Sequence, residues 1–140
     1  MSPAEILART LHAEAGGCPA RGIEALAALI LNRARAALAC PTARARFSAE
    51  RRAPDLAGMV ALVCLAPFQF PALRRTPRPA EDDPVLAMCR RIAARALAGS
   101  LPDLAQGATH FHRLSELPAW AIGRQPVAEI GGLALYRLAA

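Results

Sequence analysis

The stretch Ser2-Pro3-Ala4-Glu5-Ile6-Leu7-Ala8-Arg9-Thr10-Leu11-His12-Ala13-Glu14-Ala15-Gly16-Gly17 decides how this chain is read. Ser2 suits a helix N-cap, Pro3 the first helical position, and Glu5 stands three residues past the cap, as a capping box requires. Gly16-Gly17 closes the helix if one of them adopts the left-handed conformation. At about 100° per residue, Leu7, Leu11 and Glu14 point in nearly one direction. Glu5, Arg9 and His12 fall on the opposite, wet side, with Glu5 and Arg9 as an i,i+4 pair. Glu14 therefore shares a face with leucines and sits at the negative end of the helix macrodipole. Both settings disfavour the ionised carboxyl and raise its pKa, which is what a general acid needs. The competing reading is a frayed last-turn glutamate, and it is the one that pattern alone favours.

Working outward, the totals bound the fold. A chain of 140 residues is read as one domain, 1–140, with room for a core. Hydrophobic residues make up 54% but aromatics only 4%, with alanine prominent, which favours closely packed helices. The net charge of +6 comes almost wholly from arginine and suits an anionic partner: nucleic acid, a membrane surface, or a wall polymer bearing carboxylates and phosphates. The arginines are not interleaved with aromatics and no phosphate-cradling glycine loop is present, so nucleic acid is not the expected partner. No apolar run reaches the length of a membrane span, and the N-terminus carries no secretory-signal pattern. Cys18, Cys40, Cys64 and Cys89 show no metal or redox spacing, and Cys64 and Cys89 read as core residues.

A second helix is expected over Ala20–Leu38, with Ile23, Leu26, Ile30, Leu31 and Ala34 on one face. Asn32-Arg33 interrupts it, and the pattern favours a surface position for the pair over a buried network. Thr42–Pro54 reads as a basic solvated loop, and a third helix follows over Asp55–Leu65. Pro67-Phe68-Gln69-Phe70-Pro71 reads as a rigid extended segment, either core filler or the wall of a groove. Arg74–Pro79 reads as a linker, and a fourth helix starts at Asp82 or Asp83 with Pro84 in its first turn and stops at Gly99. Beyond it, Gly107–His112 reads as a short strand and Glu129–Arg137 as a bent strand pair or a strand with a turn at Gly131-Gly132. The expected class is α+β, mostly α, with about four helices and a small C-terminal β element. His110 and His112 point the same way in a strand and make a metal half-site, but a zinc site needs a third ligand, and His12 lies on the wet face.

Several blocks stand in a telling order: Ala8-Arg9-Thr10-Leu11-His12-Ala13-Glu14-Ala15, Ile30-Leu31-Asn32-Arg33, Phe68-Gln69-Phe70, Gly107-Ala108-Thr109-His110-Phe111-His112 with Pro118-Ala119-Trp120, and Ile130-Gly131 with Leu135-Tyr136-Arg137. In that order and spacing the chain resembles the SleB-type cell wall hydrolase family, which includes the catalytic domain of spore cortex-lytic enzymes. The resemblance implies a lysozyme-like or lytic-transglycosylase-like domain that cleaves the glycan strands of peptidoglycan. It implies Glu14 as the catalytic acid and Asn32, Gln69, Phe70, Thr109, His110, His112, Trp120 and Tyr136 as substrate-binding residues, with no metal and no cofactor. His12 and Ala13 depart from the family's Tyr-Gly, Gly16 from an arginine, Leu73 from an aromatic and Leu133 from a histidine. With one recognisable carboxylate, lytic transglycosylation is favoured over hydrolysis. Two other classes remain: a non-catalytic wall-binding or particle protein, and a zinc amidase using His110 and His112. Without an export signal, the expected route is synthesis in the cytoplasm and release by lysis, through a holin, or in a phage-like particle.

Overall fold

A computed structural model describes residues 1–139. Among these, six helices precede a small sheet: α1 (Pro3–Ala15), α2 (Ala20–Ala39), α3 (Pro41–Ser48), α4 (Leu56–Leu65), α5 (Pro71–Arg75) and α6 (Pro84–Leu97), then β1 (His110–Arg113), β2 (Ala128–Ile130) and β3 (Leu133–Tyr136). The class is α+β and mostly α. No described helix is long and apolar enough to cross a membrane.

The caps explain where the long helices begin. Ser2 Oγ accepts from the Glu5 N–H at 3.2 Å, Asp55 accepts from Gly58 at 2.8 Å, and Asp83 accepts from Val85 at 2.8 Å ahead of Pro84. The reciprocal half of the capping box does not form, because the Glu5 carboxylate turns instead to Arg9 and to Arg90 of α6. The side of α1 read as wet is thus a seam against α6. Arg9 is only 7% exposed there, and His12 Nε2 lies 3.1 Å from Asp83. Neither Gly16 nor Gly17 is left-handed; Gly16 caps α1 in the right-handed region, its N–H donating to the His12 carbonyl at 2.9 Å.

Helix α2 is central, packing on α1, α3, α4 and α6, with Ile23, Leu26, Leu29 and Ile30 fully buried. Its end shows why the stretch after it is not the expected loop. Arg44 reaches back to the carbonyls of Ala37 and Leu38 at 3.0 and 3.2 Å, satisfying orphan groups of the last turn. Pro41 opens α3, and Ala43 and Phe47, four apart, go inward. A basic stretch with one large apolar residue gives little periodic signal, yet its arginine caps the neighbouring helix.

The sheet runs β1-β3-β2, all antiparallel, with His110 opposite Tyr136 and Arg113 opposite Leu133. Leu133 and Leu135 enter the main core, while Ala134 and Tyr136 pack with Ala121 on the other face. Gly131 and Gly132 both have positive φ and form the β2–β3 turn. Gly131 lies so close to Gly22 that a Cβ on either would collide with the backbone of the other, which docks the hairpin on the start of α2.

Candidate active site

A cleft of about 1030 Å³ opens between the end of α1, α3, the α4–α5 connection and β1. Glu14 lies on it. Ala15 beside it is fully buried and Arg113 donates to the Glu14 carbonyl, so the last turn of α1 is docked rather than frayed. One carboxyl oxygen of Glu14 accepts from the Ala72 N–H at 3.2 Å, in the first turn of α5. Burial is the leading influence on this carboxyl and holds its pKa above the ordinary glutamate value, against the pull of the Ala72 N–H and the charges of Arg113 and Arg33. Glu116 also lines the cleft and adds a smaller upward push, whereas Glu129, on β2, does not line it.

Arg33 forms the floor and is only 6% exposed, so its expected surface position is corrected. Its Nε donates to the Thr109 carbonyl at 2.6 Å and its Nη1 to Gln69 Oε1 at 3.2 Å. Its guanidinium lies 5.1 Å from the ring centres of both Phe47 and Phe70. A strictly local pattern could not find this site, since every partner is distant in sequence. Burial lowers its pKa to about 10, which still leaves it charged at neutral pH. Asn32, beside it, turns away to Asp103 and the Ala108 carbonyl.

Gln69 lines the cleft with both ends of its amide engaged: Oε1 takes Arg33, and Nε2 donates to the Arg46 carbonyl at 3.0 Å. It clips the α4–α5 connection onto α3. The two aromatics flanking it part company. Phe70 is 3% exposed and stacks with Phe111, whereas Phe68 is 96% exposed on the cleft rim. The connection is a turn, closed by the Gln69 N–H to the Ala66 carbonyl, with Phe68 at φ 66°. A left-handed non-glycine residue costs about 1–2 kcal/mol, and leaving a phenylalanine in water forgoes a further ~2 kcal/mol of burial.

On the opposite wall His110, His112, Trp120 and Tyr136 form an aromatic cluster with ring centres 5.1–5.8 Å apart. The hydrogen bonds fix the histidine tautomers. His112 Nδ1 faces the Arg113 carbonyl at 2.8 Å and must donate, so Nε2 accepts from the Tyr136 hydroxyl at 2.8 Å. Thr109 Oγ1 donates to the Leu138 carbonyl and accepts from His110 Nδ1. Burial, then the charges of Arg33, Arg46 and Arg124, lower the His110 pKa to about 4, so it is neutral in ordinary conditions. These histidines do not fit a zinc site: both nitrogens of His112 are taken, and among the described residues no group of three metal-ligating side chains exists.

Of the residues expected at the site, Glu14, Gln69, His110, His112 and Trp120 line the cleft. Phe70, Thr109 and Tyr136 support its walls from behind, and Asn32 points elsewhere. Arg46, Phe68 and Arg113 line it without having been singled out; Phe68, in the proline-bracketed segment, was the readable clue. His12, Ala13 and Leu73 line a separate cavity of about 320 Å³, and Leu133 is in the core, so the departures from the family pattern leave the cleft largely untouched.

The fold is thus a largely helical α+β one, with a carboxyl of raised pKa in a cationic, aromatic-walled cleft. The chain belongs to the cell wall hydrolase family, whose model matches residues 17–136, beginning three residues past Glu14. Searches among curated proteins and solved structures gave no significant match. As a member of that family it is a peptidoglycan-degrading hydrolase in class.

Proposed function

We propose that the protein cleaves the glycan strand of peptidoglycan with Glu14 as its general acid. The observation that carries this reading is the setting of Glu14: on the cleft, desolvated so that its pKa is raised, and aimed by the Ala72 N–H. A glycosidic oxygen is a poor leaving group, and a positioned acid must protonate it as positive charge develops at the anomeric carbon. Glu14 supplies that proton. In the favoured course it then takes a proton back from the sugar's own 6-hydroxyl, which attacks the anomeric carbon and leaves an anhydro end. The developing oxocarbenium-like centre faces Glu14 as a carboxylate, while neutral His110 and the edge of Trp120 offer polar and apolar contacts for the sugar.

One observation favours a second course. Glu116 is the other carboxylate lining the cleft, and from there it can hold a water for hydrolysis. Glu14→Gln abolishes turbidity loss of purified peptidoglycan in either course, with the melting temperature retained; undiminished activity refutes the assignment. Mass spectrometry of the products separates the courses: anhydro ends mark the intramolecular route, and reducing ends that vanish in Glu116→Gln mark hydrolysis. Release by lysis, through a holin or in a phage-like particle belongs to this proposal too, and genome neighbours test it.

A further inference from the structure

Phe68 and Arg46 have no employment inside the molecule. Phe68 is held in a left-handed turn with its ring almost wholly in water. Arg46 is exposed on α3, and its side chain makes no hydrogen bond or ion pair among the described residues, unlike Arg33, Arg44 and Arg113 around it. Both line the cleft. Gln69 ties them together, since it follows Phe68 directly and its Nε2 donates to the Arg46 carbonyl at 3.0 Å. That clip uses Arg46 backbone only, so the guanidinium stays free. An almost fully exposed aromatic in a left-handed turn and an unpaired cation thus line one cleft.

Resting on the glycan-cleaving reading above, we infer that Phe68 and Arg46 form a two-point recognition site for a peptide-bearing sugar of the wall. The Phe68 ring stacks on the C–H face of a pyranose, a contact open to any β-1,4-linked sugar. Arg46 takes a carboxylate of the attached stem peptide, a charge-assisted contact that an uncharged polysaccharide cannot offer. The pair makes the enzyme selective for carboxylate-bearing peptidoglycan over the same polymer with its charges removed.

The test is co-sedimentation of Glu14→Gln protein with teichoic-acid-free peptidoglycan, native or with its carboxylates amidated through a carbodiimide. The expected result is tighter retention on the native polymer. Adding Phe68→Asn weakens retention on both forms at least about tenfold. Adding Arg46→Ala weakens it only on the native form and abolishes the preference, along with its sensitivity to salt. Asparagine tolerates the left-handed turn, so the melting temperature of the Phe68→Asn protein stays at or above its parent's, whereas a residue with a structural role would lower it. Unaltered retention in either double variant, or an Arg46→Ala loss equal on both polymers, overturns the inference. Failure of the underlying reading looks different: the parent itself is then retained on neither polymer.

Discussion

Two arginines are buried to nearly the same degree, and their surroundings differ in kind. Arg9, in the α1–α6 seam, is 7% exposed and faces carboxylates: Glu5 at 3.1 Å from Nε and Glu81 at 3.1 Å from Nη2, both shared with Arg90. Its Nε contact is poorly aligned and its Nη1 has no partner. Arg33, on the cleft floor, is 6% exposed and contacts no carboxylate among the described residues; a carbonyl, an amide oxygen and two phenyl rings hold it. The seam therefore neutralises its charge internally and serves to join two helices. The floor keeps its charge unmatched and turns it toward the cleft where Glu14 lies. Equal burial thus conceals opposite duties, and the partner's chemistry tells them apart.

The same substitution in both places breaks the comparison most sharply. Arg33→Met strands the Thr109 carbonyl and Gln69 Oε1 and removes two cation–π contacts, for an expected loss of about 4 kcal/mol. Chemical denaturation reads this loss, and wall-cleaving activity falls with it. A smaller effect comes from acid. His110 ionises only near pH 4 in the fold, so the unfolded chain binds its proton first as pH falls through 6.5. Its contribution is complete above pH 6.5 and is lost between there and pH 4, by about 2 kcal/mol once cleft water is allowed for. His110→Gln should flatten stability across that window. Glu14 has the opposite sign: its raised pKa means that ionisation above the ordinary glutamate range opposes folding, so Glu14→Gln is at least as stable as the parent at pH 7. Tyr136→Phe removes the hydroxyl that holds His112 and costs about 1 kcal/mol. Arg9→Met is the smallest, within about 1 kcal/mol in either direction, because Arg90 still serves Glu5 and Glu81 and an orphaned donor disappears. Its activity on peptidoglycan should match the parent's.

What the sequence made legible divides along the same line. Helices α1, α2 and α6 announce themselves through apolar periodicity, α1 and α6 also through Ser2 and Asp83 at their starts, and α4 through a continuous apolar run behind Asp55. The hairpin at Gly131-Gly132 is equally plain, because few other residues take positive φ at two successive positions. The cleft is less so. Helix α3 is short, basic and anchored by Arg44 reaching back to α2, a contact that no hydrophobic pattern encodes. The inward turn of Arg33 depends on Phe47, Gln69, Phe70 and Thr109, which come from three other segments. Within Phe68-Gln69-Phe70 the sequence marks a special segment, and only the turn at Phe68 decides which ring is buried and which meets solvent. The seam is hidden from the sequence for a related reason. Glu5, Arg9 and His12 look like a solvated face until α6 brings Arg90 and Asp83, about 70 to 85 residues away, to meet them. Polar contacts between distant segments are invisible to periodicity, and the site is built almost entirely from them.

The account turns on Glu14, and the rate of turbidity loss of purified peptidoglycan by the Glu14→Gln protein tests it most directly. With the melting temperature at or above the parent's, the rate should fall to background, as expected when the proposed general acid is removed. A folded Glu14→Gln protein that still clears peptidoglycan at the parent rate would contradict it.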